Sequence, residues 1–145
     1  MRGAGLHENK GLRFHAEGTG WAGFGWSWFG WTPPTAETDI SAYRNLTFEI
    51  RVKASSSDTA PDPARFAVLV GCSNGKKTTA RAMVRRYDDR FDDGSWHEIV
   101  IPMADLLAGD GAAFDPNTAW EFQLSTWAVT PRDFEIDIDQ IAVEK

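Results

Sequence analysis

The chain is poor in the residues that most often build reactive or metal-holding centres. Among 145 residues there is one cysteine, Cys72, and there are three histidines, His7, His15 and His97. A single cysteine excludes an internal disulfide, and its place in an apolar run reads as a small buried hydrophobe. The histidines have no metal-ligand spacing with one another or with Cys72. No G-x-S-x-G elbow, phosphate-cradling glycine loop or dinucleotide fingerprint occurs. Basic residues are also short. Fifteen Lys and Arg face 21 Asp and Glu, and the net charge of -6 argues against nucleic acid or an anionic membrane as partner. No apolar run approaches the ~20 residues of a membrane-spanning helix. The opening Met-Arg-Gly-Ala-Gly lacks the apolar core of a secretory signal.

Aromatic residues, by contrast, are abundant. The chain carries seven tryptophans and nine phenylalanines, and tryptophan is among the residues most favoured at recognition surfaces. Four of the seven fall between Trp21 and Trp31 (W-A-G-F-G-W-S-W-F-G-W). A strand alternates faces with a period of two. One face here holds Ala22, Phe24, Trp26 and Trp28; the other holds Trp21, Gly23, Gly25, Ser27, Phe29 and Trp31. Glycine inside a strand often marks a close approach by a ligand or another backbone. The first face is therefore expected to feed the core, and the second to form the floor and rim of a ligand site. A very aromatic core strand is the competing reading.

A hydrophobic content of 42% with 25% charged residues describes a globular chain, and its length suits one domain. A single module over residues 1–145 is expected, with roughly the first ten residues outside its packed body. Apolar segments are short and turn signals frequent. Strands are expected over Gly11–Glu17, Trp21–Trp31, Leu46–Lys53, Phe66–Cys72, Thr78–Tyr87, Trp96–Pro102, Ala119–Ala128 and Phe134–Val143. Breaks fall at Thr32-Pro33-Pro34-Thr35, Ser55–Pro63, Ser73-Asn74-Gly75-Lys76 and Thr130-Pro131-Arg132-Asp133. A short helix is expected at Ala104–Leu107. About eight or nine short strands with little helix predict an all-β, two-sheet antiparallel sandwich.

In that order the chain resembles a jelly-roll carbohydrate-binding module of the galactose-binding-domain-like kind, closest to the family 11-like β-glucan-binding modules. The resemblance rests on Thr38-Asp39-Ile40-Ser41-Ala42-Tyr43 with Asn45-Leu46-Thr47-Phe48-Glu49-Ile50-Arg51, on Gly94-Ser95-Trp96-His97-Glu98-Ile99-Val100-Ile101-Pro102, and on the closing Ile136-Asp137-Ile138-Asp139-Gln140-Ile141. It implies a monomeric module that binds polysaccharide, is not itself a catalyst, and is linked covalently to a hydrolase of a secreted bacterial enzyme. No cofactor is required. Relatives often hold a structural calcium, but their closing acidic pair reads Asp139-Gln140 here, leaving Asp139 as a lone candidate ligand against the simpler reading of a strand-end carboxylate.

Sugar recognition needs flat aromatic surface for the C–H face of a pyranose and planar polar groups for its hydroxyls. Trp127 alternates with apolar neighbours and stands beside Gln123 and Ser125, which makes it the leading stacking platform; Trp31 is expected at the rim, with Trp28 and Trp26 as further candidates. Glu49 and Arg51, Arg81, Arg85 and Tyr87, and Gln123 lie on outward strand faces and are expected to share a polar cleft if their strands are neighbours. Trp96 and Trp120 read as core. Two other function classes remain open. One is a structural or protein-interaction sandwich whose aromatics serve packing. The other is a small glycoside hydrolase, because Glu135-Ile136-Asp137-Ile138-Asp139 resembles the E-x-D-x-E motif of laminarinase-type enzymes and alternate acids share a face. A retaining pair needs carboxyl groups ~5 Å apart.

Overall fold

The computed structural model describes residues 11–27, 38–62, 65–72, 78–107 and 115–145. The strands are β1 Leu12–Ser27, β2 Asn45–Ala54, β3 Ala67–Cys72, β4 Thr78–Met83, β5 His97–Pro102 and β6 Ala119–Glu144, with a one-turn helix α1 at Met103–Leu107. All pairings are antiparallel.

Two strands organise the molecule. β6 runs for 26 residues. β1 follows one edge of it from Ser27↔Glu121 to Leu12↔Ile138. The other edge is taken first by β3, over Ala119–Ser125, and then by β2, over Phe134–Glu144. β4 pairs with β3 and β5 with β2, giving the order β4-β3-β6-β2-β5 with β1 off this path. The halves fold face to face as a jelly-roll sandwich. Phe48 on β2 meets Phe122 on the first half of β6 edge to face, with centroids 5.6 Å apart. Phe66, just ahead of β3, meets Phe134 on the second half at 6.5 Å.

This corrects the expected strand list. Gly11–Glu17 and the start of the aromatic stretch are one strand, and Thr130–Asp133 is a bend inside β6 instead of a turn between two strands. The bend is built from both sides. Gly18 and Gly20 adopt φ of 78° and 86°, in the region only glycine enters cheaply, and the β1–β6 register shifts between them. Opposite them Pro131, which has no N–H to give, sits where the ladder is already broken.

Alternation fills the interior as period two requires. Leu46, Phe48, Ile50 and Val52 on β2 are buried, as are Phe122, Leu124, Phe134, Ile136 and Ile138 on β6. Each such side chain contributes ~1.5–3 kcal/mol relative to exposure. Cys72 is buried in the same cluster. β4 ends at Met83, and Val84–Arg86 turns into a short 3-10 helix, so the expected strand through Tyr87 is cut short. α1 places Leu106 in the core and Asp105 against the Tyr87 hydroxyl, which donates to it at 2.9 Å. Burial first, then that bond, push the Tyr87 phenol up to about 12.

Candidate functional site

The outer face of the layer formed by β4, β3, the first half of β6 and the second half of β1 holds an open trough of about 390 Å³. Its geometry follows from register. Trp21 on β1 lies directly opposite Trp127 on β6. The next outward positions read Gly23, Ser125, Ala67 and Met83 across β1, β6, β3 and β4; after them come Gly25, Gln123, Leu69 and Arg81. Small residues keep the floor low, while the indoles stand at one end and Met83 and Arg81 along the β4 side. Arg65, ahead of β3, completes that side, with Asp62 3.3 Å away.

Both indoles are open to solvent, Trp21 at 60% and Trp127 at 49% exposure. Trp21 folds down across Gly23: a methyl group there would stand 2.8 Å from Cζ2 of the ring and 2.6 Å from the Leu124 carbonyl oxygen. The absent side chain of Gly23 therefore makes the bed on which the ring lies. Ala22 and Phe24, on the other face of β1, pack against the core. Over its described part the strand thus has one face against the core and one, with Trp21, open at the trough.

The expected cleft residues divide between the two layers. Trp127 and Gln123 line the trough. Glu49 and Arg51 do not share it, because β2 lies in the opposite layer. There Asp137, buried to 1% side-chain exposure, receives Nε of Arg13 at 2.7 Å and Nε of Arg51 at 3.0 Å, and Arg51 also lies 4.9 Å over the Trp96 ring. Burial pushes the Asp137 carboxyl up, but the two guanidiniums outweigh it and hold it below the usual carboxylate range. Trp96 is thus half-covered by an arginine, not sunk in the core.

Glu49 lines a separate pocket of about 280 Å³ with Glu98 and Gln140. Arg85 is exposed on the 3-10 turn and Tyr87 is held by Asp105, both outside the trough lining. Trp28 and Trp31 lie outside the described residues. Of Trp26 only the backbone, paired with Phe122, is described, and of Trp120 only the backbone in β6.

Glu135, Asp137 and Asp139 do share a face. The central carboxylate of that row is occupied by two arginines, and Glu135 lies 4.0 Å from Arg13. Asp139 is buried and accepts from the Gln140 backbone N–H at 2.8 Å. Among the described residues no group of three or more His, Cys, Asp or Glu is arranged to hold a metal.

Sequence reasoning placed Trp21 on the site-facing side of its strand without naming it as a binding residue, and it did not bring Arg65 or Met83 to the site. The available signal was the pairing of Trp21 with Trp127, which becomes readable only once β1 and β6 are recognised as neighbours.

A family model described as carbohydrate binding domain 30 matches residues 4–145. Among solved structures, the chain is similar to a family 30 carbohydrate binding module at 20% identity and a TM-score of 0.68, covering 90% of this chain and 73% of that one. It is similar to the family 30 module of the cellulosomal cellulase Cel9D-Cel44B of Clostridium thermocellum at 19% identity and a TM-score of 0.72, covering 93% and 74%. The family 11 module of the cellulosomal cellulase Lic26A-Cel5E from the same organism aligns at 17% identity and a TM-score of 0.52, covering 96% and 79%. At these identities the structural likeness establishes the fold. No curated protein matches the chain in sequence.

Proposed function

The chain belongs to the carbohydrate binding domain 30 family, whose modules are non-catalytic, and on that premise we propose that the Trp21–Trp127 trough binds a β-glucan chain of the mixed-linkage, xyloglucan or cellulosic type. The observation that carries this reading is the pair of exposed indoles set opposite one another at the end of an open trough. Flat rings meet the C–H face of successive pyranoses at low entropic cost. Gln123 offers both a donor and an acceptor to equatorial hydroxyls, and Arg81 offers a planar fork of donors. An open trough admits the interior of a long polymer, whereas a closed cavity would select chain ends. The module acts outside the cell, as a monomer, delivering an attached hydrolase of a bacterial enzyme to its substrate. It requires no cofactor, so chelation leaves binding unchanged.

Calorimetry and affinity electrophoresis against mixed-linkage glucan, xyloglucan, cellulose and xylan test the reading. Binding to one or more of the glucans is expected; failure to bind any neutral polysaccharide overturns it.

A further inference from the structure

The trough is charged in the opposite sense to the molecule around it. The chain carries a net charge of -6, yet the described residues lining the trough include two arginines, Arg65 and Arg81, and no carboxylate. The next outward carboxylate along β6, Glu121, lies outside that lining and is buried against Gly71, where a methyl group would stand 2.6 Å from its Cγ. Arg65 has Asp62 beside it at 3.3 Å. Arg81 is exposed, and none of the described carboxylates forms an ion pair with it.

A neutral pyranose presents hydroxyls that must both give and receive hydrogen bonds. A guanidinium can only give. Arg81 stands at the edge of the strand pair that continues the Gln123 row, within the same trough as the indoles. Its planar fork matches a carboxylate with two parallel bonds, a stronger interaction than either bond to a neutral oxygen. No carboxylate among the described lining residues would repel a ligand's negative charge; of the acids beside the trough, Asp62 is paired with Arg65 and Glu121 is buried against Gly71.

We propose that the trough accepts acidic glycans, with the carboxylate of a uronic acid residue seated on Arg81 while neighbouring rings stack on Trp21 and Trp127. This rests on the carbohydrate-binding reading of the trough and names the ligand class it favours. Exposed ion pairs are modest, so the preference is a ratio between otherwise matched ligands and not a new order of affinity.

The test compares one soluble mixed-linkage β-glucan with the same polymer partly oxidised at C6 to the uronate. Calorimetry at low ionic strength is expected to show the oxidised form binding on the order of fivefold tighter, with the advantage shrinking as salt is raised. Arg81→Gln should bring the ratio to about one. Lys53→Gln makes the same change of charge on the opposite layer and should leave the ratio as it was. Near-UV circular dichroism checks that both variants stay folded. Equal or weaker binding of the oxidised polymer, or a ratio that Arg81→Gln does not move, overturns the proposal. If neither polymer binds, the carbohydrate reading of the trough falls and this proposal with it. If only the oxidised polymer binds, the neutral-glucan reading falls and this one stands.

Discussion

Nη1 of Arg132 donates a hydrogen bond of 2.7 Å to the carbonyl of Gly20, and that bond ties the bend of β6 to the bend of β1. Arg132 is 3% exposed, and its Nε has no partner among the described residues. Burial holds its pKa below the ordinary guanidinium value. The residue after Gly20 is Trp21, so the contact fixes the backbone from which one of the two platform rings projects.

Arg132→Ala removes both the donor and the volume beneath the bend. It is expected to cost about 2–4 kcal/mol of stability, from an unpaired carbonyl and a cavity together. Arg132→Met keeps most of the volume and removes a desolvated charge, so its cost should be about 1 kcal/mol or less. Urea denaturation of the two variants checks the order; a methionine variant as unstable as the alanine one contradicts it.

Trp127→Ala and Trp21→Ala should each weaken glucan binding by ~1–3 kcal/mol while leaving thermal stability close to wild type, since both rings are largely exposed. A large fall in Tm for either variant shows that the ring serves packing. Because the rings are direct cross-strand neighbours, the double variant should lose less or more than the sum of the singles.

Gly23→Ala places its methyl 2.6 Å from a backbone oxygen and 2.8 Å from the Trp21 ring. The expected result is a loss of about 1–2 kcal/mol in stability together with weaker glucan binding, as the ring is lifted from its bed. Tryptophan fluorescence should shift with the variant; an unshifted spectrum with full binding refutes the seating described for Trp21.

His97 stands between two acids, with Nδ1 2.7 Å from Asp88 and Nε2 2.9 Å from Asp93. Burial pulls its pKa down, but the bonds to Asp93 and Asp88 outweigh it and the net shift is upward. The bond to His97 leads the causes that lower the Asp93 carboxyl to about 2. The raised imidazole stabilises the fold fully below its unfolded value of about 6.5 and loses that effect as pH rises through the folded value. The lowered carboxyl stabilises above its unfolded value of about 3.9 and loses that effect as pH falls toward 2. The stability gap between wild type and His97→Gln should therefore be widest from about pH 4 to 6.5 and close at higher pH. A gap that widens above pH 7 would overturn this assignment.

Asp137→Asn leaves Arg13 and Arg51 facing each other over a neutral group. About 3 kcal/mol should be lost, as when one member of a buried ion network is removed, and chemical denaturation at neutral pH measures it. In the wild type the lowered Asp137 carboxyl contributes stability above about pH 3.9, which is lost as pH falls through its folded value.

Much of this was legible in the chain itself. Alternation named Leu46, Phe48, Ile50 and Val52 on β2 and Phe122 and Leu124 on β6 as buried, because a one-residue slip would turn each of them outward. It did not foresee that Glu121, Arg132, Asp137 and Asp139 are buried too. The all-β sandwich was readable from short strands between frequent turns and the jelly roll from the family resemblance, while parity set Trp127 on an outward face, where it lines the trough. Register across the sandwich was not legible. Nothing local says that Arg51 meets Asp137, more than eighty positions along the chain, instead of joining Gln123. Thr130-Pro131 reads as a turn on its own, and only the paired glycines of β1 convert it to a bend within one strand. Trp21 was visible as a site-facing residue, but its partnership with Trp127 depends on a pairing between strands at opposite ends of the chain.

The passage of β6 through both layers also decides how the molecule comes apart. Every other strand except β4 and β5 is laddered to that one backbone, so neither layer can open without stripping bonds from a segment the other still uses. Amide protons on the trough side and on the Asp137 side of β6 should then exchange with solvent at one shared, global rate. The backbone that carries Trp21 and Trp127 should then open only when the whole sandwich does.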